Sequence, residues 1–384
     1  MKSLVNLAKR LLDSKPDAAL AITTAPSIAP EASFQIPKFW ETSYWEPTVQ
    51  MPIRDYVRPG DVVFDVGANA GALSMLMSRL VGPKGIVCSF EASPRIIDKT
   101  VYNLTTAGCS NAHVYYRAVY HTSNEIVTLY PGTHLNDSIY NDLGAEGGAK
   151  YEVETLALDD FIEATNLVPK LIKMDIEGAE LDALKGMARL FEYSKPILIL
   201  EGSPSDMRCH EYLTSKGYKA VDLANYRRIE SARDFLPGTD IVNILYMDAT
   251  KAEDDPYFSG SDMTEVARLD RAHFEQTGRG DIEIRSPVVL PAGRYLCKAD
   301  FSANGSDNEI FAGIDTNNGV IHRYHTYTKF MAASYRDWVF TLRRDSQVKP
   351  YLRFLQGSDV SLDWRGATIY RLTSFDKVKP PIIF

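Results

Sequence analysis

Apolar runs and helical repeats alternate along the first two thirds of the chain. Val62-Val63-Phe64-Asp65-Val66 follows the turn pair Pro59-Gly60 and reads as a buried strand. Gly67-Ala68-Asn69-Ala70-Gly71 then turns the chain into a helix in which Leu73, Leu76, Met77 and Leu80 recur at helical spacing until Gly82-Pro83. Further strand-like runs fall at 85–90, 113–120, 126–130, 151–158, 171–174, 196–200, 218–223 and 241–247. Helical patterns lie between them, with Ile97, Val101 and Leu104 in phase in one and Leu181, Leu184 and Met187 in another. Such alternation predicts a mostly parallel sheet covered on both faces, with ligands at the carboxyl ends of its strands. Asp65, Glu91, Asp175 and Glu201 each stand at such an end.

The pattern changes near Ala249. Residues 251–261 are polar and turn-rich, and 263–276 is expected to form one connecting helix, so 251–279 reads as a linker with a helix. From residue 280 to 384 short alternating segments punctuated by Gly, Asn, Asp and Pro predict an antiparallel β-sandwich. Its Tyr324, His325, Tyr327, Tyr335, Trp338, Tyr351 and Trp364 suit either stacking on sugar faces or a core or subunit interface, including one that forms a homo-oligomer. At the other end, residues 1–50 read as an amphipathic helix followed by an arm. Leu4, Leu7, Ala8 and Leu11 share a face near Lys2, Lys9 and Arg10, which suits peripheral membrane contact or packing within the protein. The aromatic cluster Phe39, Trp40, Tyr44 and Trp45 precedes a helical stretch at 52–57.

Composition narrows the function classes. A formal net charge of -8 argues against non-specific nucleic-acid binding. Four scattered cysteines (Cys88, Cys109, Cys209, Cys297) form no CxxC pair, which fits the reducing cytoplasm and neither a zinc site nor a disulfide framework. No apolar run approaches the ~20 residues of a membrane span.

The glycine turn lacks the GxGxxG spacing that lets a pyrophosphate approach, and Asp65 stands inside its strand. A negative charge there suits an ammonium or sulfonium group better than a phosphate. Glu91, one strand-helix-strand unit later, is placed to accept hydrogen bonds from ribose hydroxyls. S-adenosylmethionine, a nucleoside carrying an amino acid and no phosphate, matches both features.

Phe64-Asp65-Val66-Gly67-Ala68-Asn69-Ala70-Gly71, Ser89-Phe90-Glu91, Arg117-Ala118-Val119 and Leu171-Ile172-Lys173-Met174-Asp175-Ile176-Glu177-Gly178-Ala179-Glu180 together resemble the FkbM family of methyltransferases, over roughly residues 50 to 248. Ile199-Leu200-Glu201 and Val242-Asn243-Ile244-Leu245 are similar to it too, whereas Glu91-Ala92-Ser93-Pro94 departs from its usual proline directly after the acidic residue. The resemblance implies a class I methyltransferase domain at 51–250, an α/β Rossmann-like sheet of seven strands, and S-adenosylmethionine-dependent O-methylation of a hydroxyl on a sugar, glycan or natural product. It also implies that Asp65 and the turn Gly67, Ala68, Asn69 and Gly71 hold the methionyl part, Glu91 the ribose and Ala118 the adenine. Asp175 is then a cofactor contact, a general base or, with Glu177 and Glu180, a ligand of Mg²⁺; its alternative is a helix N-cap. Glu177 and His134 complete the expected catalytic set, and His121 is a second imidazole candidate. Two rival readings are a nicotinamide-dependent oxidoreductase on a similar sheet and a non-catalytic adaptor that binds glycans or partners through the sandwich.

Overall fold

The structure is a computed structural model that describes residues 46–132, 137–140, 150–236, 239–259, 263–276, 281–304, 309–317, 319–327, 337–354 and 361–377. The expected amphipathic helix, the arm and the Phe39–Trp45 cluster lie outside these residues. Helix α1 (Pro47–Tyr56) starts on proline at its first position, where the missing N–H costs nothing. Next come β1 (Val62–Val66), α2 (Ala72–Val81), β2 (Ile86–Glu91), α3 (Ile97–Thr106) and β3 (Ala112–Tyr116). Three short strands, β4 (Ala118–Val119), β5 (Ile126–Leu129) and β6 (Tyr151–Leu156), form a small separate sheet. The chain continues through α4 (Leu158–Thr165), β7 (Leu171–Met174), α5 (Glu180–Lys185), α6 (Leu190–Tyr193), β8 (Ile197–Gly202), α7 (Arg208–Ser215), β9 (Tyr218–Asp222), β10 (Arg228–Ile229) and β11 (Val242–Asp248).

The main sheet has the order β10-β9-β11-β8-β7-β1-β2-β3. Strands β3, β2, β1, β7 and β8 run parallel, and β11 is inserted antiparallel between β8 and β9. Seven strands were expected; the eighth, β10, is a two-residue edge strand paired to β9. The run 113–120, read as one strand, breaks at Arg117, and its second half leaves the main sheet as β4.

Because side chains alternate across a strand, each strand feeds two cores. Val63, Leu171, Ile197 and Ile199 face α1 and α2, whereas Phe64, Val66, Ile172, Met174, Leu198 and Leu200 face the opposite side. Asp65 and Lys173 are in phase with the first set, so both rise on the α1 side.

After α8 (Ala249–Ala252) all remaining strands are antiparallel: β12 (Met263–Asp270), β13 (Phe274–Gln276), β14 (Ile282–Ile284), β15 (Val288–Leu290), β16 (Gly293–Asn304), β17 (Glu309–Thr316), β18 (Gly319–Tyr327), β19 (Asp337–Leu342), β20 (Ser346–Phe354) and β21 (Ser361–Leu372). Sheets β12-β21-β16-β19 and β13-β14-β20-β17-β18, with β15 beside β20, enclose a core of Cys297, Phe301, Ile314, Trp338, Val348, Leu352, Trp364 and Ile369. The connecting helix expected at 263–276 is instead β12 and β13. A bulge between Glu265 and Ala267 breaks the two-residue alternation that would have marked a strand.

The four-stranded sheet is a middle layer. Its Cys297, Trp338 and Ile369 point into the sandwich, while Leu296, Val339 and Leu372 join Val49, Ile53 and Leu73 in the core on the α1 side of the main sheet. One ion pair pins the contact. Arg294 on β16 donates from Nη1 to Asp55 Oδ2 at 2.6 Å and from Nη2 to Oδ1 at 3.0 Å. Tyr257 donates its hydroxyl to the same carboxylate at 2.5 Å, and the guanidinium lies 4.2 Å from the Phe375 ring centre. Trp338, Tyr351 and Trp364 are buried, which leaves them to the core rather than to sugar stacking. Tyr335 and the side chains of Tyr324, His325 and Tyr327 lie outside the described residues.

Candidate active site

The turn after β1 is shaped by backbone hydrogen bonds. The N–H groups of Gly67 and Ala68 both donate to Phe90 O, at 2.9 and 3.0 Å, which draws the turn over the end of β2. Gly67 has φ 76, and a Cβ there would stand 1.8 Å from the Asp175 carbonyl oxygen, so no side chain fits. Asn69 (φ 47) then donates its N–H to Glu91 Oε2 at 2.8 Å, and Glu91 Oε1 accepts from Ser93 N–H at 2.8 Å. Ala92-Ser93 thereby folds back to hold the carboxylate, despite the departure from the family pattern at this point. Each oxygen retains a lone pair for a further donor.

These groups surround a cavity of about 260 Å³ at the carboxyl ends of β1, β2 and β7. Among the residues expected to bind cofactor, Asp65, Gly67, Ala68, Asn69, Glu91, Ala118 and Asp175 line it, as does Glu177 from the expected catalytic set. Gly71 does not. It caps α2, and the space where its Cβ would lie is bounded by Thr100 and Leu104 of α3. His134 lies outside the described residues. His121 is off the cavity, with its Nδ1 3.7 Å from Asp182.

Asp65 is fully buried. Ser74 donates its hydroxyl to Oδ2 at 2.5 Å, and Oδ1 has no partner. An orphaned carboxylate oxygen in a cavity wall costs stability unless a ligand donor meets it, so the residues fit a cation-bearing ligand. Lys173, across the β1–β7 register from Asp65, donates to Asp175 Oδ2 at 3.2 Å and approaches Gly67 O at 3.4 Å. Sequence reading passed over this lysine, although a charged residue inside the apolar run Leu171–Met174 was a visible signal. It also passed over Glu46, the residue before α1, which lines the cavity together with Asp137. Asp137 pairs with Arg95 and accepts from Ser93 Oγ.

The electrostatics follow from crowding in a dry place. Burial, opposed by the N–H groups of Ser93 and Asn69, pushes the Glu91 carboxyl up to about 7. Burial likewise raises Glu46 to about 7 against the pull of Lys173, and raises Glu177 to about 7 with help from Asp175 and Glu180. Glu201 is driven well above the carboxylate range, first by Asp175 and then by burial. Burial works against the Lys173 charge, but Asp175, Glu46 and Asp65 outweigh it and hold the ammonium protonated. Among the described residues no group of three or more His, Cys, Asp or Glu side chains is placed to hold a metal ion. Glu180 is turned away from such a role: its Oε1 accepts the Ile176 N–H at 2.9 Å.

Residues 65–220 match the family described as the methyltransferase FkbM domain. The chain is 24% identical over 179 residues to the hexuronic acid methyltransferase AglP of Haloferax volcanii, covering 46% of this chain and 70% of that one. It is 25% identical over 217 residues to the 31-O-demethyl-FK506 methyltransferase FkbM of Streptomyces tacrolimicus, covering 55% and 81%. A crystal structure of methyltransferase FkbM from Methylobacillus flagellatus is 19% identical with a TM-score of 0.34, covering 56% of this chain and 49% of that one. No helix among the described residues is long and apolar enough to cross a membrane.

Proposed function

We propose, from the premise that residues 65–220 form an FkbM methyltransferase domain, that this chain transfers a methyl group from S-adenosylmethionine to a hydroxyl oxygen of a sugar, glycan or natural product. The observation that carries the reading is the buried, unpartnered Asp65 Oδ1 in a cavity whose glycine turn lacks phosphate-binding spacing. The relatives named for a hexuronic acid and for a 31-O-demethyl substrate support an oxygen acceptor of this kind. S-adenosylmethionine, when bound, supplies a methyl group already activated by its sulfonium. The work left to the protein is to orient the acceptor oxygen in line with that methyl, exclude water and take up the hydroxyl proton.

In this reading Glu91 accepts the ribose hydroxyls with the two lone pairs left free by Asn69 and Ser93. Ala118 and Val119 form the adenine wall. Glu177 takes the proton from the acceptor: it lines the cavity, and its position near 7 matches a base that operates at neutral pH. Asp175, ion-paired to Lys173, holds the end of β7 against the glycine turn and keeps Glu177 raised. Four cysteines without a disulfide among them fit a cytoplasmic enzyme.

The test is transfer of labelled methyl to a panel of sugars, glycosides and hydroxylated natural products, with calorimetric titration of S-adenosylmethionine and NAD alongside. The expected result is binding of the first cofactor alone and label on an acceptor oxygen. Glu177→Gln is expected to lower kcat by about 10²-fold or more with little change in cofactor affinity. Binding of NAD instead would return the site to oxidoreductase chemistry.

A further inference from the structure

Glu46 is not part of the FkbM-matching segment, yet it forms part of the cavity wall. It sits in the left-handed region (φ 43) immediately before α1, and its Oε2 is buried with no hydrogen-bond partner. Its electrostatic neighbours are Lys173 and Asp175 at the end of β7 and Asp65 on β1. Glu46 therefore belongs to the β1–β7 end of the cavity.

That end carries two orphaned carboxylate oxygens, Glu46 Oε2 and Asp65 Oδ1, and the Asp65 side chain is wholly buried. The register explains why they converge. Asp65 and Lys173 lie side by side on the face that α1 covers, and Glu46 comes down on this row from the α1 terminus. Three carboxyl groups (Glu46, Asp65, Asp175) surround one ammonium, that of Lys173. The surplus negative charge leaves room for a second cation with several N–H donors.

We propose that Glu46, together with Asp65, receives the α-ammonium group of the amino-acid portion of the methyl donor. This rests on the S-adenosylmethionine reading and extends it to a residue outside the matched segment. It gives the C-terminal sandwich a task as well. Helix α1 is anchored at its far end by Asp55 to Arg294 of β16, and Tyr56 donates its hydroxyl to Asp255 Oδ1 at 2.7 Å. The sandwich thus holds the helix that presents Glu46.

Calorimetric titration of the full chain with two probes tests this: S-adenosylhomocysteine, which carries the ammonium, and 5′-methylthioadenosine, which has the nucleoside and sulfur but no amino-acid portion. In the Glu46→Gln variant the affinity for S-adenosylhomocysteine is expected to fall by about tenfold or more, the scale of one hydrogen bond to a charged group, with 5′-methylthioadenosine unchanged. Glu91→Gln is expected to weaken both probes. Unchanged binding of S-adenosylhomocysteine to Glu46→Gln, or an equal loss for both probes in a folded variant, would overturn the assignment. If Glu46→Gln does not fold, Glu46→Asp, which keeps the charge but retracts it, is expected to show the same split in smaller measure. A wild-type chain that binds neither probe would remove the cofactor reading itself, a failure distinct from loss of the split.

Discussion

Lys173 stands directly across the parallel β1–β7 register from Asp65, so the charged rung of the sheet lies one residue below the mouth of the cavity. Its ammonium ties the carbonyl of Gly67 to the carboxylate of Asp175 and thereby joins the two strand ends that flank the site. Replacing Lys173 with Met keeps the volume and removes the charge, leaving buried carboxyls uncompensated. The expected cost is about 3 kcal/mol of unfolding free energy, read by urea denaturation. A loss below about 1 kcal/mol would mean that protonation of the carboxyls offsets the missing lysine.

Gly67 is the tightest backbone position in the site. Gly67→Ala should abolish measurable binding of S-adenosylmethionine, because the methyl group displaces the Asp175 carbonyl and with it the end of β7. Gly60→Ala is the matched control: φ is positive there too, at 93, but nothing lies within 4 Å of the added carbon. The control should lose about 1–2 kcal/mol of stability and no affinity.

The pH dependence of the ligand-free protein follows from Glu46, Glu91 and Glu177, each raised from an ordinary value of 4.5 to about 7. A raised carboxyl binds its proton more tightly folded than unfolded, so its contribution is complete below 4.5 and is lost as pH rises through 7. Thermal melts are expected to show a midpoint that declines between pH 5 and 8. Glu91→Gln, which cannot ionise, should make that decline shallower. An invariant midpoint in the wild type would show that these carboxyls ionise without penalty.

The Arg294–Asp55 pair provides a test between the two halves of the chain. Both side chains are nearly buried, at 6% and 3% exposure, so Arg294→Met strands a buried carboxylate and is expected to cost about 3–5 kcal/mol in chemical denaturation. Arg365→Met breaks the exposed pair to Asp300 and should change stability by less than about 1 kcal/mol.

Much of the first half was legible because its signals are local. The apolar run of β1, its glycine turn and the acidic strand ends at 65, 91 and 175 all fall where sequence spacing places them. What escaped was set by pairing between strands. Lys173 gains its meaning only opposite Asp65, and no feature of the run Leu171–Met174 names that partner. Glu46 precedes a proline in a polar-aromatic stretch and reaches the cavity only because α1 packs across the sheet. Gly71 looked like a ligand contact by analogy with its neighbours, whereas the helix it starts turns it toward α3. The strand β12 read as a helix because a bulge after Glu265 put Val266 on the solvent side and broke the alternation.

The middle sheet of the sandwich has an apolar face on each side, and one of these completes the core beneath α1. An accessory domain attached in this way is not a removable cassette. A lineage that exchanged its C-terminal region would have to exchange the surface of α1 with it, Asp55 included, or leave Leu296, Val339 and Leu372 facing water. Helix α1 and the sandwich are therefore expected to be inherited together, and to vary together, even where the main sheet stays the same.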